Sequence, residues 1–115
     1  MSRAERAKGT RGELEVAKLF RGQGFDCVRT PNSGGLHVKA DLAGVTGFHI
    51  EVKRQETAMV WKWMKQAQED AYDDAGISEP VVVFRRNGSR WLALVDAEAF
   101  AALVAAARDN GRDEE

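Results

Sequence analysis

At 115 residues, with 43% hydrophobic and 30% charged side chains, the chain has the size and balance of one compact domain, which excludes two full domains and a disordered polymer. A lone cysteine, Cys27, excludes an internal disulfide and suits a reducing compartment. The net charge of −1 hides an asymmetry: residues 1–54 hold ten Lys/Arg against six Asp/Glu, and residues 55–115 hold seven against twelve, so a polyanion would meet the first half.

The start, MSRAERAKGTRG, carries the charge of an export signal without the apolar stretch that must follow it. The longest apolar run, residues 99–107, is far short of the roughly 20 residues of a spanning helix, so the expectation is a soluble, cytoplasmic protein.

Periodicity predicts a first helix over residues 10–23, closed by Gly24 in a positive-φ conformation with Phe25 packing back. A strand follows over 25–29, then the loop Pro31-Asn32-Ser33-Gly34-Gly35. Strands over 38–43 and 48–54 are joined by a hairpin-length turn. A second helix covers 58–75 and stops at Gly76. Residues 81–85 read as a strand buried on both faces, and Asn87-Gly88 turns into a last strand over 91–95. Asp96 caps a final helix through Arg108, and 109–115 is expected to be a flexible acidic tail beyond a single domain over 1–108. The order α-β-β-β-α-β-β-α implies an α/β fold, a mixed sheet flanked by helices.

Two places carry polar residues where apolar ones are expected. On the first helix, Glu13 lies within the arc of Val16, Ala17 and Phe20, while Glu15 and Lys18 face away. It either needs a compensating cation or hydrogen bond, or sits in the first turn and complements the helix dipole. On the strand over 48–54, Phe48, Ile50 and Val52 share one face and His49, Glu51 and Lys53 the other, with Glu51 and Lys53 about 7 Å apart along the strand. Alone, that polar row reads as a wet face. With Asp41 on the preceding strand, these acids can hold a hard cation such as Mg²⁺, which takes carboxylates and completes its shell with water and phosphate.

On the second helix, Trp61 and Trp63 fall at opposite margins of the buried stripe and read chiefly as core, with an interface or base stacking as the alternative. Asp70, Asp73 and Asp74 read as an acidic, solvent-facing surface. His37 and His49 lack a second His or Cys at ligand spacing, so neither reads as a zinc ligand.

Asp41 followed by Glu51-Val52-Lys53 resembles the D-(x)n-ExK signature of the PD-(D/E)xK nuclease superfamily, and the element order resembles its αβββαβ core, here with an extra strand and C-terminal helix. Lys8-Gly9-Thr10 with Glu13, then Gly24-Phe25, Val28-Arg29 and Pro31-Asn32-Ser33-Gly34, resemble the archaeal-type Holliday-junction resolvases over roughly residues 8–68. The chain departs from that pattern in having Lys39-Ala40 where a proline usually precedes the Asp. The resemblance puts Glu13, Asp41, Glu51 and Lys53 at catalytic positions and Ser33 at a loop serine, and loosely aligns Gln66 with a helix Gln.

It implies a Mg²⁺-dependent endodeoxyribonuclease, with Mn²⁺ as substitute, that leaves 5′-phosphate and 3′-hydroxyl ends. Asp41 and Glu51, with the Val52 backbone carbonyl and Glu13, would hold metal; Lys53 would stabilise charge on phosphorus. Arg6, Lys8, Arg11, Arg29, Ser33, Gly34, His37 and Lys39 are the expected DNA contacts. A four-way junction implies a C2 homodimer acting in DNA recombination or repair in a prokaryotic or phage-infected cell. A nuclease for other DNA structures, a non-catalytic DNA-binding module and a structural protein with a wet strand face are the competing readings.

Overall fold

The computed structural model describes residues 2–30, 39–73 and 78–113. Helix α1 (Arg3–Gly22) is followed by strands β1 (Val28–Arg29), β2 (Leu42–Ala43) and β3 (Phe48–Arg54), helix α2 (Val60–Asp73), strands β4 (Glu79–Arg85) and β5 (Leu92–Leu94), and helix α3 (Ala97–Asp113). Among the described residues the strands form one sheet in sequence order, with β3 and β4 parallel and the other pairs antiparallel. The parallel pair needs a crossover, and α2 supplies it. This is the expected α/β class, a mixed sheet with flanking helices.

Helix α1 begins at Arg3 rather than at residue 10. The Ser2 hydroxyl accepts the Glu5 amide at 3.1 Å, and this cap outweighs Gly9, whose interior helical position costs about 1 kcal/mol relative to Ala. At the other end Gly24 takes φ +98° and the Phe25 amide donates to the Phe20 carbonyl at 3.2 Å, bringing the two phenyl rings edge to face at 6.2 Å. That closure is the expected one.

The core is split by the sheet. Val16 and Ala17 of α1 pack with Cys27, Leu42, Val45, Ile50, Val81 and Val83 on one face. Trp63 and Ala67 of α2 pack with Val82, Phe84 and Leu94 on the other. Strand β4 therefore buries both of its faces, as its unbroken valine run predicts. Trp61 is 88% exposed, so only one of the two indoles expected in the core is there.

Close approach positions α1. A Cβ on Gly12 would lie 3.3 Å from both the Arg54 Cβ and the Trp91 ring, so glycine lets the helix lie this near the end of β3 without pushing those side chains back. Gly44, at φ +104°, is pressed so closely on the Asp26 carbonyl that a Cβ would collide with it. Strands β1 and β2 are shorter than expected. The chain nonetheless bridges neighbours ahead of β2: the Asp41 amide donates to the Ile50 carbonyl at 2.9 Å, and the Asp41 carbonyl accepts the Thr30 amide at 3.0 Å.

Asp96 caps α3 as expected, its carboxylate accepting the Ala99 amide at 3.1 Å. The helix then runs to Asp113, past its expected end at Arg108, because residues 109–113 contain no proline and a single Gly111 does not end an alanine-rich helix. The start of the expected flexible tail is thus helical. Among the described residues no helix is long and apolar enough to cross a membrane.

Candidate active site

Strand β3 supplies the centre. Its two side-chain rows separate as the alternation requires: Ile50 enters the core on the α1 side, with Phe48 and Val52 packed against it. The opposite row is not wet. His49 is 2% exposed and Glu51 8%, and the buried His49 Nε2 donates to the Glu51 Oε1 at 2.7 Å. Burial at this level leaves a carboxylate costly unless it is compensated.

Asp41 lies just ahead of β2, beside this strand. Its Oδ2 accepts the Val52 amide at 2.8 Å, while its own backbone amide and carbonyl are used by Ile50 and Thr30. The Thr30 hydroxyl donates to the Ala40 carbonyl at 2.6 Å and pins the same turn. Burial, followed by the charge of Glu51, pushes the Asp41 carboxyl up to about 7, against the opposing pull of the Val52 amide and the Lys53 ammonium. Asp41 thus shares its space with a second carboxylate, Glu51, an electrostatic state that a bound cation would relieve.

Glu13 approaches from α1. Because α1 begins at Arg3, Glu13 is about three turns inside the helix, and the first-turn dipole reading falls. Its carboxyl is raised above the ordinary range, first by burial and also by the charge of Asp41, while the Arg29 Nε donates to its Oε1 at 2.8 Å and pulls the other way. The buried-acid reading of the helical wheel holds. Arg29, expected on DNA, is committed to Glu13.

One cavity of about 940 Å³ is lined by Glu13, Asp41, Glu51, Val52 and Lys53, and its rim carries basic side chains from the N-terminal half of α1. Of the expected DNA contacts, Arg6, Lys8, Arg29 and Lys39 line it; Arg11 is exposed on α1 outside this lining. Lys8 lies 3.6 Å from Glu56 and Lys39 3.9 Å from Asp70. Ser33, Gly34 and His37 lie outside the described residues.

Helix α2 adds Gln66 and Asp70 to the lining. The Asp70 side chain is 22% exposed and turned into the site, not to solvent as expected. The signal was available: on a helical wheel Asp70 falls about 20° from Trp63 and about 60° from Ala67, both buried. Asp73, as a side chain, and Asp74 lie outside the described residues.

A family model described as "Phage putative PDDEXK endonuclease" matches residues 4–112. Comparison with curated proteins gives no match. Among solved structures, the chain is similar to Archaeoglobus fulgidus Hjc, described as a Holliday junction resolvase from an archaeal hyperthermophile, at 20% identity over 76% of each chain with a TM-score of 0.56. At that identity the likeness is one of fold, and it agrees with the mixed sheet and flanking helices described above.

Proposed function

The chain belongs to the phage PDDEXK endonuclease family, and from that premise we propose that it is a metal-dependent DNA endonuclease whose preferred substrate is the four-way Holliday junction. The observation that carries the reading is the meeting of Glu13, Asp41, Glu51 and Lys53, distant in sequence, in one cavity where Asp41 is driven up to about 7 by burial and by Glu51. The donor set is rich in carboxylate oxygen, which fits a hard divalent ion.

Asp41 and Glu51 would hold that ion, with the Val52 carbonyl as a further donor, and Glu13 would hold a second metal or its water shell. Mg²⁺, with Mn²⁺ as substitute, supplies acidification of water and neutralisation of phosphate charge. The Lys53 ammonium orients the attacking water and stabilises charge on the phosphoryl oxygens. Arg29 fixes the Glu13 carboxylate. Arg6, Lys8 and Lys39 on the rim track the phosphate backbone. Water attacks phosphorus, the P–O3′ bond breaks, and 5′-phosphate and 3′-hydroxyl ends result. A C2 homodimer matches the symmetry of a four-way junction, and paired cuts would serve DNA recombination or repair in the cytoplasm of a prokaryotic or phage-infected cell.

Labelled four-way junction and matched linear duplex incubated with Mg²⁺ test this directly. Junction cleavage well above duplex cleavage is expected. Equal cutting of both makes the protein a nuclease for other DNA structures, and junction binding without cleavage in Mg²⁺ or Mn²⁺ makes it a binding module.

A further inference from the structure

We propose that His49, Glu51 and Asp70 form a second cation site, one that takes an imidazole-binding transition metal such as Mn²⁺ or Co²⁺ and shares Glu51 with the Asp41 site. The inference rests on the nuclease reading only in that the shared Glu51 is assigned there to the first ion.

Three elements of geometry carry it. A ligand atom from each of the three side chains lies within 4.8 Å of the others, although two come from β3 and one from α2. These are not surface groups: His49 is 2% exposed and Glu51 8%, and the Asp70 carboxylate is turned into the same cavity. The spacing is also close to what coordination requires. Two ligand atoms each about 2.1 Å from a metal and at right angles to it are about 3.0 Å apart, and opposite octahedral ligands about 4.2 Å. The 2.7 Å His49–Glu51 contact has to open by only a few tenths of an ångström.

The chemistry separates this site from its neighbour. Asp41, Glu51 and the Val52 carbonyl offer oxygen alone, the preference of Mg²⁺; an imidazole nitrogen among two carboxylates shifts preference toward Mn²⁺, Co²⁺ or Zn²⁺. Lys39 lies 3.9 Å from Asp70 with its side chain 48% exposed. A divalent ion on Asp70 would compete with that long contact.

The test uses the metal alone, without DNA. Electron spin-echo spectroscopy of wild-type protein with Mn²⁺ should show coupling to an imidazole ¹⁴N, persisting in His37→Gln and lost in His49→Gln. Titration with Co²⁺ should give two ions per chain for wild type and one for Asp70→Asn, or a Co²⁺ affinity about tenfold or more weaker at the second step. Absence of the ¹⁴N coupling in folded wild type, or its loss in His37→Gln, overturns the site, as does unchanged Co²⁺ binding by folded Asp70→Asn. Wild-type junction cleavage, measured in parallel, separates the outcomes: cleavage without ¹⁴N coupling removes this site and leaves the nuclease, and coupling without cleavage does the reverse.

Discussion

Ile50 and His49 are neighbours on one strand, each 2% exposed, and they face opposite sides of the sheet. Around Ile50 are Val16, Ala17, Leu42 and Val81, and burial there is favourable without further conditions. Around His49 are Glu51 and Asp70, with Asp41 beside Glu51 and Glu13 reaching Asp41 from α1, and partial burial raises the protonation equilibria of Asp41 and Glu13. One face of β3 holds the fold together. The other is kept buried and acidic at a cost to stability, as expected of a surface shaped for a cation and a phosphate.

The sharpest way to break that contrast is to truncate each face in turn. Glu51→Ala should reduce Mg²⁺-dependent cleavage to background, by more than about 10³-fold if metal and phosphate are both lost, while leaving the urea midpoint equal to or above that of wild type because a buried charge is removed. Ile50→Ala should behave oppositely: a loss of about 2–5 kcal/mol in unfolding free energy, with residual cleavage per folded molecule close to wild type. Unchanged cleavage in Glu51→Ala would show that the acidic face is not the reacting one.

A smaller effect reads the acidic face by pH. The folded Asp41 carboxyl titrates near 7 against an ordinary value of 3.8, so the folded state retains a proton that the unfolded chain releases between those limits. Protons are then more numerous on the folded side, and metal-free stability should fall as pH rises from about 4 to 7 and level off above that. Glu13, also raised, adds a slope of the same sign. Asp41→Asn should flatten most of this fall in thermal melts. In wild type, added Mg²⁺ should raise the melting temperature more at pH 8 than at pH 5, where protons compete for Asp41.

Much of this was legible in the chain. The order of elements follows from periodicity, and β3 begins and ends where its alternation does, at Phe48 and Arg54. Glu13 was visible as an acid inside an apolar arc. The state of the His49–Glu51 row was not, because alternation separates two faces of a strand without telling whether a helix covers the second; that depends on where the β3–α2–β4 crossover places Asp70. Asp70 itself was misplaced by assuming that a carboxylate beside other carboxylates faces water, although its position relative to Trp63 and Ala67 put it on the buried side. The start of α1 was missed because Gly9 masked the cap that Ser2 provides.

The smallest expected effect distinguishes the floor of the cavity from its rim. Lys8→Ala and Lys39→Ala probe the rim; Lys8 forms a long, exposed ion pair with Glu56, and pairs of this kind contribute about 0–1 kcal/mol, so Lys8→Ala should leave the unfolding free energy within about 0.5 kcal/mol of wild type. If the rim follows the phosphate backbone, each substitution should weaken junction and duplex binding to a similar degree and reduce the slope of log K against log salt by about 1. Measured on a Glu51→Ala background, which removes cleavage, the slope reports binding alone. A slope unchanged in both variants would move the DNA path off this rim, while leaving the chemistry assigned to the acidic floor untouched.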